Sequence, residues 1–276
     1  VGSVFSPYYA WARGRGRTDP DDHCALNVAL YGGGARRWTM TERGAARVVR
    51  EPGTFAIGPS RVDWDGDRLR IDIEERAVPF GQRVRGTVTV RPRALCTYAT
   101  ALDAGGRHHW GPIAPSARVE VDFDEPSLSW RGQAYLDSNV GEEPIDGPFV
   151  DWDWSRALMS DGSTAVVYDV RPRAGDDRVL ALRFAPDGAV SPFEPPPRQA
   201  LPRTGWRIAR SMRTDPGGLP ARVRQTLEDT PFYSRSVIES GLLGERVVSM
   251  HESLDVRRYQ STAVRLMLPW RMPRTA

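Results

Sequence analysis

The sequence predicts a mostly β protein built from antiparallel sheets, and three observations lead there. Apolar and polar residues alternate with period two along several runs, which marks strands buried on one face. Glycine and proline are frequent, at 26 and 23 residues, and they punctuate those runs with turns. Helical periodicity is confined to two short stretches, neither long enough to build a helical domain.

In chain order, Val1–Phe5 reads like the middle of a strand and lacks an initiator methionine, so a fragment with its upstream part missing is expected. Gly32-Gly33-Gly34 reads as a turn. Thr39 and Glu42 match a capping box and predict a short helix to about Val49. Leu69, Ile71 and Ile73 alternate with Arg70, Asp72 and Glu74. Val88 and Val90 alternate with Thr87 and Thr89, and Ala117, Val119, Val121 and Phe123 with Arg118, Glu120 and Asp122. Each pattern predicts a half-buried antiparallel strand. Further strands are expected at Ala165–Val170, Val179–Phe184, Arg246–Val256 and Thr262–Leu268. A second helix is expected over Leu219–Asp229, with Pro220 in its first turn and Val223 and Leu227 on one face. The acidic, turn-rich segment Gly141–Val150 is taken as a boundary between domains at 1–147 and 148–276. Pro192–Pro202 is read as a long loop of the second domain.

Composition removes several classes of function. The chain has no lysine, so all 38 basic side chains are arginine. That excludes a lysine Schiff base and a P-loop. Net charge is only +3, and 35 acidic residues are mixed among the arginines, which is not the footprint of a nucleic-acid partner. Arg13, Arg15 and Arg17 form the densest basic run, either a solvated loop or a contact for anionic lipid headgroups. Two cysteines, Cys24 and Cys96, are too few for a disulfide framework and read as free thiols. No stretch approaches the roughly 20 apolar residues of a membrane-spanning helix.

Two segments carry candidate chemistry. On a strand over Trp130–Asn139, the residues Gln133, Tyr135, Asp137 and Asn139 share one face, while Ala134, Leu136 and Val140 share the other. Either the polar face is solvated, or it looks inward and places a carboxyl beside a phenol. In Arg107-His108-His109-Trp110, His108 and Trp110 share a face and His109 points away. Adjacent histidines diverge on a strand, and neither His23 nor His251 has ligand spacing, so no metal is expected. Trp152 and Trp154 form a third same-face pair, read either as core or as the lining of an apolar ligand channel. No Gly-x-Ser-x-Gly elbow and no dinucleotide-binding glycine pattern is present.

These residues lie in segments that resemble the bacterial carotenoid 1,2-hydratases, also called hydroxyneurosporene synthases. The matching stretches are Val1–Arg13 (VGSVFSPYYAWAR), Asp22–Tyr31 (DHCALNVALY), Met40–Gly44 (MTERG), Ile57–Ser60 (IGPS), Trp110–Val121 (WGPIAPSARVEV) and Tyr135–Ala157 (YLDSNVGEEPIDGPFVDWDWSRA). Leu227–Arg235 (LEDTPFYSR) and Val264–Pro273 (VRLMLPWRMP) continue the match, which thus covers nearly the whole chain. The resemblance implies two consecutive lipocalin-like β-barrel domains, the first lacking N-terminal strand sequence here. It also implies a functional set of a His and a Trp two apart, then a Tyr and an Asp two apart. His108, Trp110, Tyr135 and Asp137 match it.

The chemistry so implied is addition of water, without a cofactor, to the terminal C1–C2 double bond of an acyclic carotenoid such as neurosporene or lycopene. Asp137 is expected as the acid, kept protonated by burial against an ordinary value of about 3.9. Trp110 and Tyr135 are expected to face the carbocation, at about 2 kcal/mol each when desolvated, and His108 to orient or deprotonate the water. Trp152, Trp154 and Asn139 are candidates for the substrate pocket. Partners are then the carotenoid, water and a membrane surface, with the protein cytoplasmic and peripherally bound to the photosynthetic inner membrane. Two other functions fit an apolar pocket: a lipocalin-like carrier without chemistry, and a cofactor-free polyene cyclase or pericyclase.

Overall fold

The computed structural model describes residues 4–275. The chain is mostly β, and its strands pair mainly antiparallel, with one short parallel pair, Arg37–Arg43 with Arg274–Thr275, among the described residues. Two compact units share it. One comprises the residues up to Pro92, Arg118–Ala134 and the residues from Arg265 on. The other comprises Arg93–Ala117 and Tyr135–Val264. This division is not a single cut near residue 147. The strands His108–Glu125 and Leu128–Gly141 each contribute residues to both units.

In the first unit, Val48–Glu51, Thr54–Ile57, Ser60–Trp64, Leu69–Arg76 and Arg83–Pro92 form a meander, each strand paired with the next. The alternation read at Leu69–Ile73 and Thr87–Val90 sits in it. Its interior holds the ion pair Arg43–Glu75 at 2.8 Å, and the Ser60 hydroxyl donates to the same carboxylate at 3.0 Å. A smaller sheet pairs Cys24–Leu30 with Arg37–Arg43.

The second unit is organised on a seven-stranded sheet in the order Val190–Pro192, Arg178–Phe184, Thr164–Pro172, Phe149–Leu158, Glu245–Asp255, Tyr233–Leu242 and Arg222–Asp229. A hairpin of Arg198–Leu201 with Arg210–Arg213 accompanies it. Closed lipocalin-like barrels, the expectation from resemblance, are not what these strands form: no sheet among the described residues closes on itself. The edges of the seven-stranded sheet show why. Val190–Pro192 is three residues long and ends in a proline, which has no N–H to donate. Arg222–Asp229 is interrupted by two register shifts, between Val223 and Gln225 and between Thr226 and Glu228, and such bulges end pairing at an edge.

Four local expectations are corrected. Thr39–Val49 is not a helix but the strand Arg37–Arg43 followed by a single 3-10 turn and the strand Val48–Glu51. The Thr39 hydroxyl does not cap a helix; it accepts from the backbone N–H of Val28 on the paired strand. Leu219–Asp229 contains the strand Arg222–Asp229, whereas Thr262–Leu268, expected as a strand, lies in the helix Thr262–Arg271. Both errors have one cause. Residues four apart fall on the same face of a helix and of a strand, so Val223 with Leu227, and Val264 with Leu268, do not distinguish the two. At the start of the chain, Val1–Ser3 lie outside the described residues. Val4 and Phe5 form a turn into the helix Pro7–Arg13, whose Ser6 cap accepts from the Tyr9 N–H at 2.9 Å.

Gly86 on Arg83–Pro92 shows how tightly the first unit is packed. A Cβ there would lie 2.5 Å from the Asp122 carbonyl oxygen and 2.5 Å from the Phe123 Cα. Two of the atoms it would meet are backbone of the neighbouring strand, which cannot move aside as a flexible side chain can. Gly86→Ala is therefore expected to destabilise the protein by about 1–3 kcal/mol, read as a lower urea midpoint with an unchanged slope.

Candidate active site

Trp110, Tyr135 and Asp137 converge within the second unit. Trp110 projects from the start of the strand His108–Glu125, and Tyr135 and Asp137 from the middle of Leu128–Gly141. The Trp110 indole N–H donates to Asp137 Oδ2 at 2.8 Å, and the Tyr135 hydroxyl donates to the same oxygen at 3.1 Å. Oδ1 makes no hydrogen bond among the described residues. Trp110 of one same-face pair and both members of the other thus meet at one carboxyl, whereas Gln133 and Asn139, on the same face as Tyr135 and Asp137, are exposed.

Burial raises the Asp137 pKa above the ordinary carboxyl value. The two hydrogen bonds and Arg156 pull it down without cancelling that rise, and the charge of Glu252 adds to it. Burial and the adjacent carboxyl also hold the Tyr135 phenol far above its usual range, so it remains a donor. Both effects are desolvation acting on whichever form carries charge.

The surroundings come from one face of the seven-stranded sheet, and register explains which residues share it. Trp154 lies opposite Tyr168 on one side and Glu252 on the other. Trp152 lies opposite Val170 and Leu254, and Arg156 opposite Val166 and Met250. Trp154 tilts against the Tyr135 ring with centroids 5.6 Å apart. The Arg156 guanidinium lies over the same ring at 5.3 Å. Trp110 meets Tyr168 edge to face at 5.7 Å and Phe184 at 6.4 Å. Trp152 meets Tyr168 at 6.3 Å and Phe149 at 5.8 Å, and Phe149 meets the His108 ring at 5.0 Å. A continuous run of aromatic contacts thus links His108 to Trp110. The Trp154 indole N–H is buried without an acceptor among the described residues.

Two expected site residues are placed differently. His108 is buried, and His109 points outward as its spacing predicts. Yet His108 makes no hydrogen bond to Asp137, Trp110 or Tyr135. Its Nε2 lies 2.8 Å from the Glu143 carbonyl oxygen, and its Nδ1 faces Asp103 at 3.6 Å. The Asp103 carboxylate also accepts from the His108 backbone N–H at 2.8 Å. Asn139 is exposed and joins none of these contacts. Sequence reasoning overlooked Tyr168, Arg156 and Glu252. Tyr168 and Glu252 fall within segments expected as strands, Arg156 lies two residues beyond the Trp152/Trp154 pair, and no local spacing marks any of them. Across the sheet, on the other face, Asp153 accepts from Ser211 at 2.6 Å and from Arg198 at 2.9 Å, with buried His251 3.8 Å away. Among the described residues, no three His, Cys, Asp or Glu side chains are placed to hold a metal ion.

The family model of carotenoid hydratase CrtC matches residues 1–276. The chain belongs to the carotenoid hydratase family. It is 60% identical to an acyclic carotenoid 1,2-hydratase of Rubrivivax gelatinosus over all of this chain and 68% of that protein. A relative of the same name from Thiocapsa roseopersicina is 54% identical over 99% of this chain and 67% of its own length. One from Cereibacter sphaeroides is 39% identical over 99% of this chain and 96% of its own length. In this member of the family, the two hydrogen bonds to Asp137 oppose the effect of burial. Trp110→Phe and Tyr135→Phe each remove one of them and are expected to raise the Asp137 pKa further. A carbon-13 NMR titration of aspartate-labelled protein, with Asp137→Asn to assign the signal, measures the shift. A fall in either variant contradicts this account.

Proposed function

We propose that the protein hydrates the terminal C1–C2 double bond of an acyclic carotenoid, with Asp137 as the acid. The observation that carries this reading is a desolvated carboxyl with both donors on one oxygen. In the neutral acid, an oxygen that accepts two hydrogen bonds is the carbonyl oxygen, so the proton sits on Oδ1. That proton moves to C2 of the alkene and leaves a tertiary cation at C1. The charge left on the carboxylate is shared by its two oxygens, and the share on Oδ2 meets the Trp110 N–H and Tyr135 O–H, already placed to stabilise it without reorganisation. Arg156, over the Tyr135 ring, contributes a favourable field to the same anion. Water adds to C1, and the proton it loses returns to Asp137. Atoms balance: one water is consumed and the acid is regenerated.

The roles differ from the simplest pattern-based assignment. Trp110 and Tyr135 turn their donor edges to Asp137, so their first task is to hold and tune the acid. The aromatic surroundings of the cation then include Trp154 and Tyr168, and a desolvated cation–π contact is worth about 2 kcal/mol. His108 acts as a positioning residue: its ring Nε2 pairs with the Glu143 carbonyl, just beyond the strand that carries Asp137, and its backbone N–H donates to Asp103.

Asp137→Asn keeps the shape and removes the proton, and is expected to lower lycopene hydration by about 10²–10⁴-fold. Activity near wild type defeats the assignment. The active form is the neutral acid and its pKa is raised, so kcat/KM falls as pH rises through that pKa and is retained below it. Product made in ¹⁸O-labelled water carries the label in its hydroxyl and gains the mass of one water. An unchanged carotenoid points to a carrier, and a product of unchanged mass to a cyclase.

A further inference from the structure

The helix Thr262–Arg271 is apolar on both sides. Val264 and Leu268 are buried. On the opposite side, at helical spacing, Leu266, Met267 and Trp270 stand in solvent with exposures of 58%, 44% and 76%. A helix that is hydrophobic all round is normally enclosed, and nothing among the described residues encloses this face. The helix also carries two arginines, Arg265 and Arg271, and no Asp or Glu. Arg274 beyond it is paired with Asp22 and Glu42, and Arg257 before it with Asp151 and Asp255. No helix among the described residues is long and apolar enough to cross a membrane.

A second exposed aromatic belongs to the same neighbourhood. Phe80, 83% exposed, sits on the turn between Leu69–Arg76 and Arg83–Pro92. In that turn the Val78 N–H donates to the Trp38 carbonyl at 2.9 Å, and the Arg271 guanidinium covers the Trp38 ring at 4.1 Å. The turn and the end of the helix are therefore anchored on one residue.

We propose that the exposed face of Thr262–Arg271 docks the protein on an anionic lipid bilayer, with Leu266, Met267 and Trp270 entering the headgroup boundary and the net positive charge of the helix favouring the anionic surface. Helices of this kind bury their apolar face about 5–10 Å into the interface, and tryptophan favours that depth. A second copy of the chain is the poorer occupant. Three side chains fall well short of the about 800 Å² per partner of a stable dimer, and two copies of a helix that carries two arginines and no acid would repel. The inference deepens the function proposed above, since it says where the enzyme meets a substrate dissolved in the membrane.

Flotation with liposomes tests the surface without any carotenoid. The wild-type chain is expected to float with vesicles of equal parts phosphatidylcholine and phosphatidylglycerol, and to float less with phosphatidylcholine alone or in high salt. The triple variant Leu266→Gln, Met267→Gln, Trp270→Gln is expected to lose about tenfold or more of the bound fraction. Its melting temperature and its hydration of detergent-dispersed lycopene should match wild type, because all three side chains are exposed. A wild type that stays with the soluble fraction, or a folded variant that floats as wild type does, overturns the proposal. So does a lipid-free dimer that the triple variant converts to monomer, because the face is then covered by a second copy. Flotation lost in the variant, combined with no hydration by the wild type, supports the surface and counts against the hydratase reading alone.

Discussion

One carboxyl taken out of water sets the terms for the rest of the site. A buried acid resists ionisation, and hydrogen bonds to its anion oppose that resistance. At Asp137 both influences act, and burial prevails. The two donors share one oxygen, Oδ2, and Oδ1 makes no hydrogen bond among the described residues. An isolated buried carboxyl would keep its proton too well, and a solvated one would not keep it at all. Trp110 and Tyr135 set the balance between those extremes.

Holding that balance requires walls that exclude water, and the aromatic contacts supply them. Trp154 and Tyr168 stand opposite each other on adjacent strands and reach Tyr135 and Trp110 respectively. Edge-to-face ring contacts place positive ring edges against negative ring faces, so the same packing that fixes the acid surrounds it with π-faces suited to a transient cation. Glu252 and Arg156, both half-buried, show that this face of the sheet is not simply oily. They act on Asp137 in opposite directions, and desolvation remains the leading influence.

Much of the site is legible in the sequence because a strand has a simple period. Residues two apart share a face, so spacing alone pairs His108 with Trp110 and Tyr135 with Asp137. The resemblance then joins the two pairs, whose Trp110 and Asp137 lie 27 positions apart and which spacing does not connect. The same period misleads at four residues, where helix and strand coincide, and Val264 with Leu268 points to the wrong element for that reason. Asn139 follows Asp137 by two residues but lies in solvent, because the strand runs out of its enclosure before it ends. His108 shares a face with Trp110, yet its ring turns to Glu143 and Asp103, partners that no spacing rule reveals.

The sequence by itself determined the class of fold and the exclusion of lysine-dependent mechanisms, because these follow from composition and from local periodicity, while the choice of Asp137 rested on the resemblance to the carotenoid hydratases. Tertiary structure alone decided that the sheets stay open, that Trp110 and Tyr135 grip a single oxygen of Asp137, and that Tyr168, Arg156 and Glu252 join them. Those outcomes depend on register between strands far apart in the chain. Register is a cooperative property of whole sheets, set by packing and by bulges at their edges, and no short window of residues contains it.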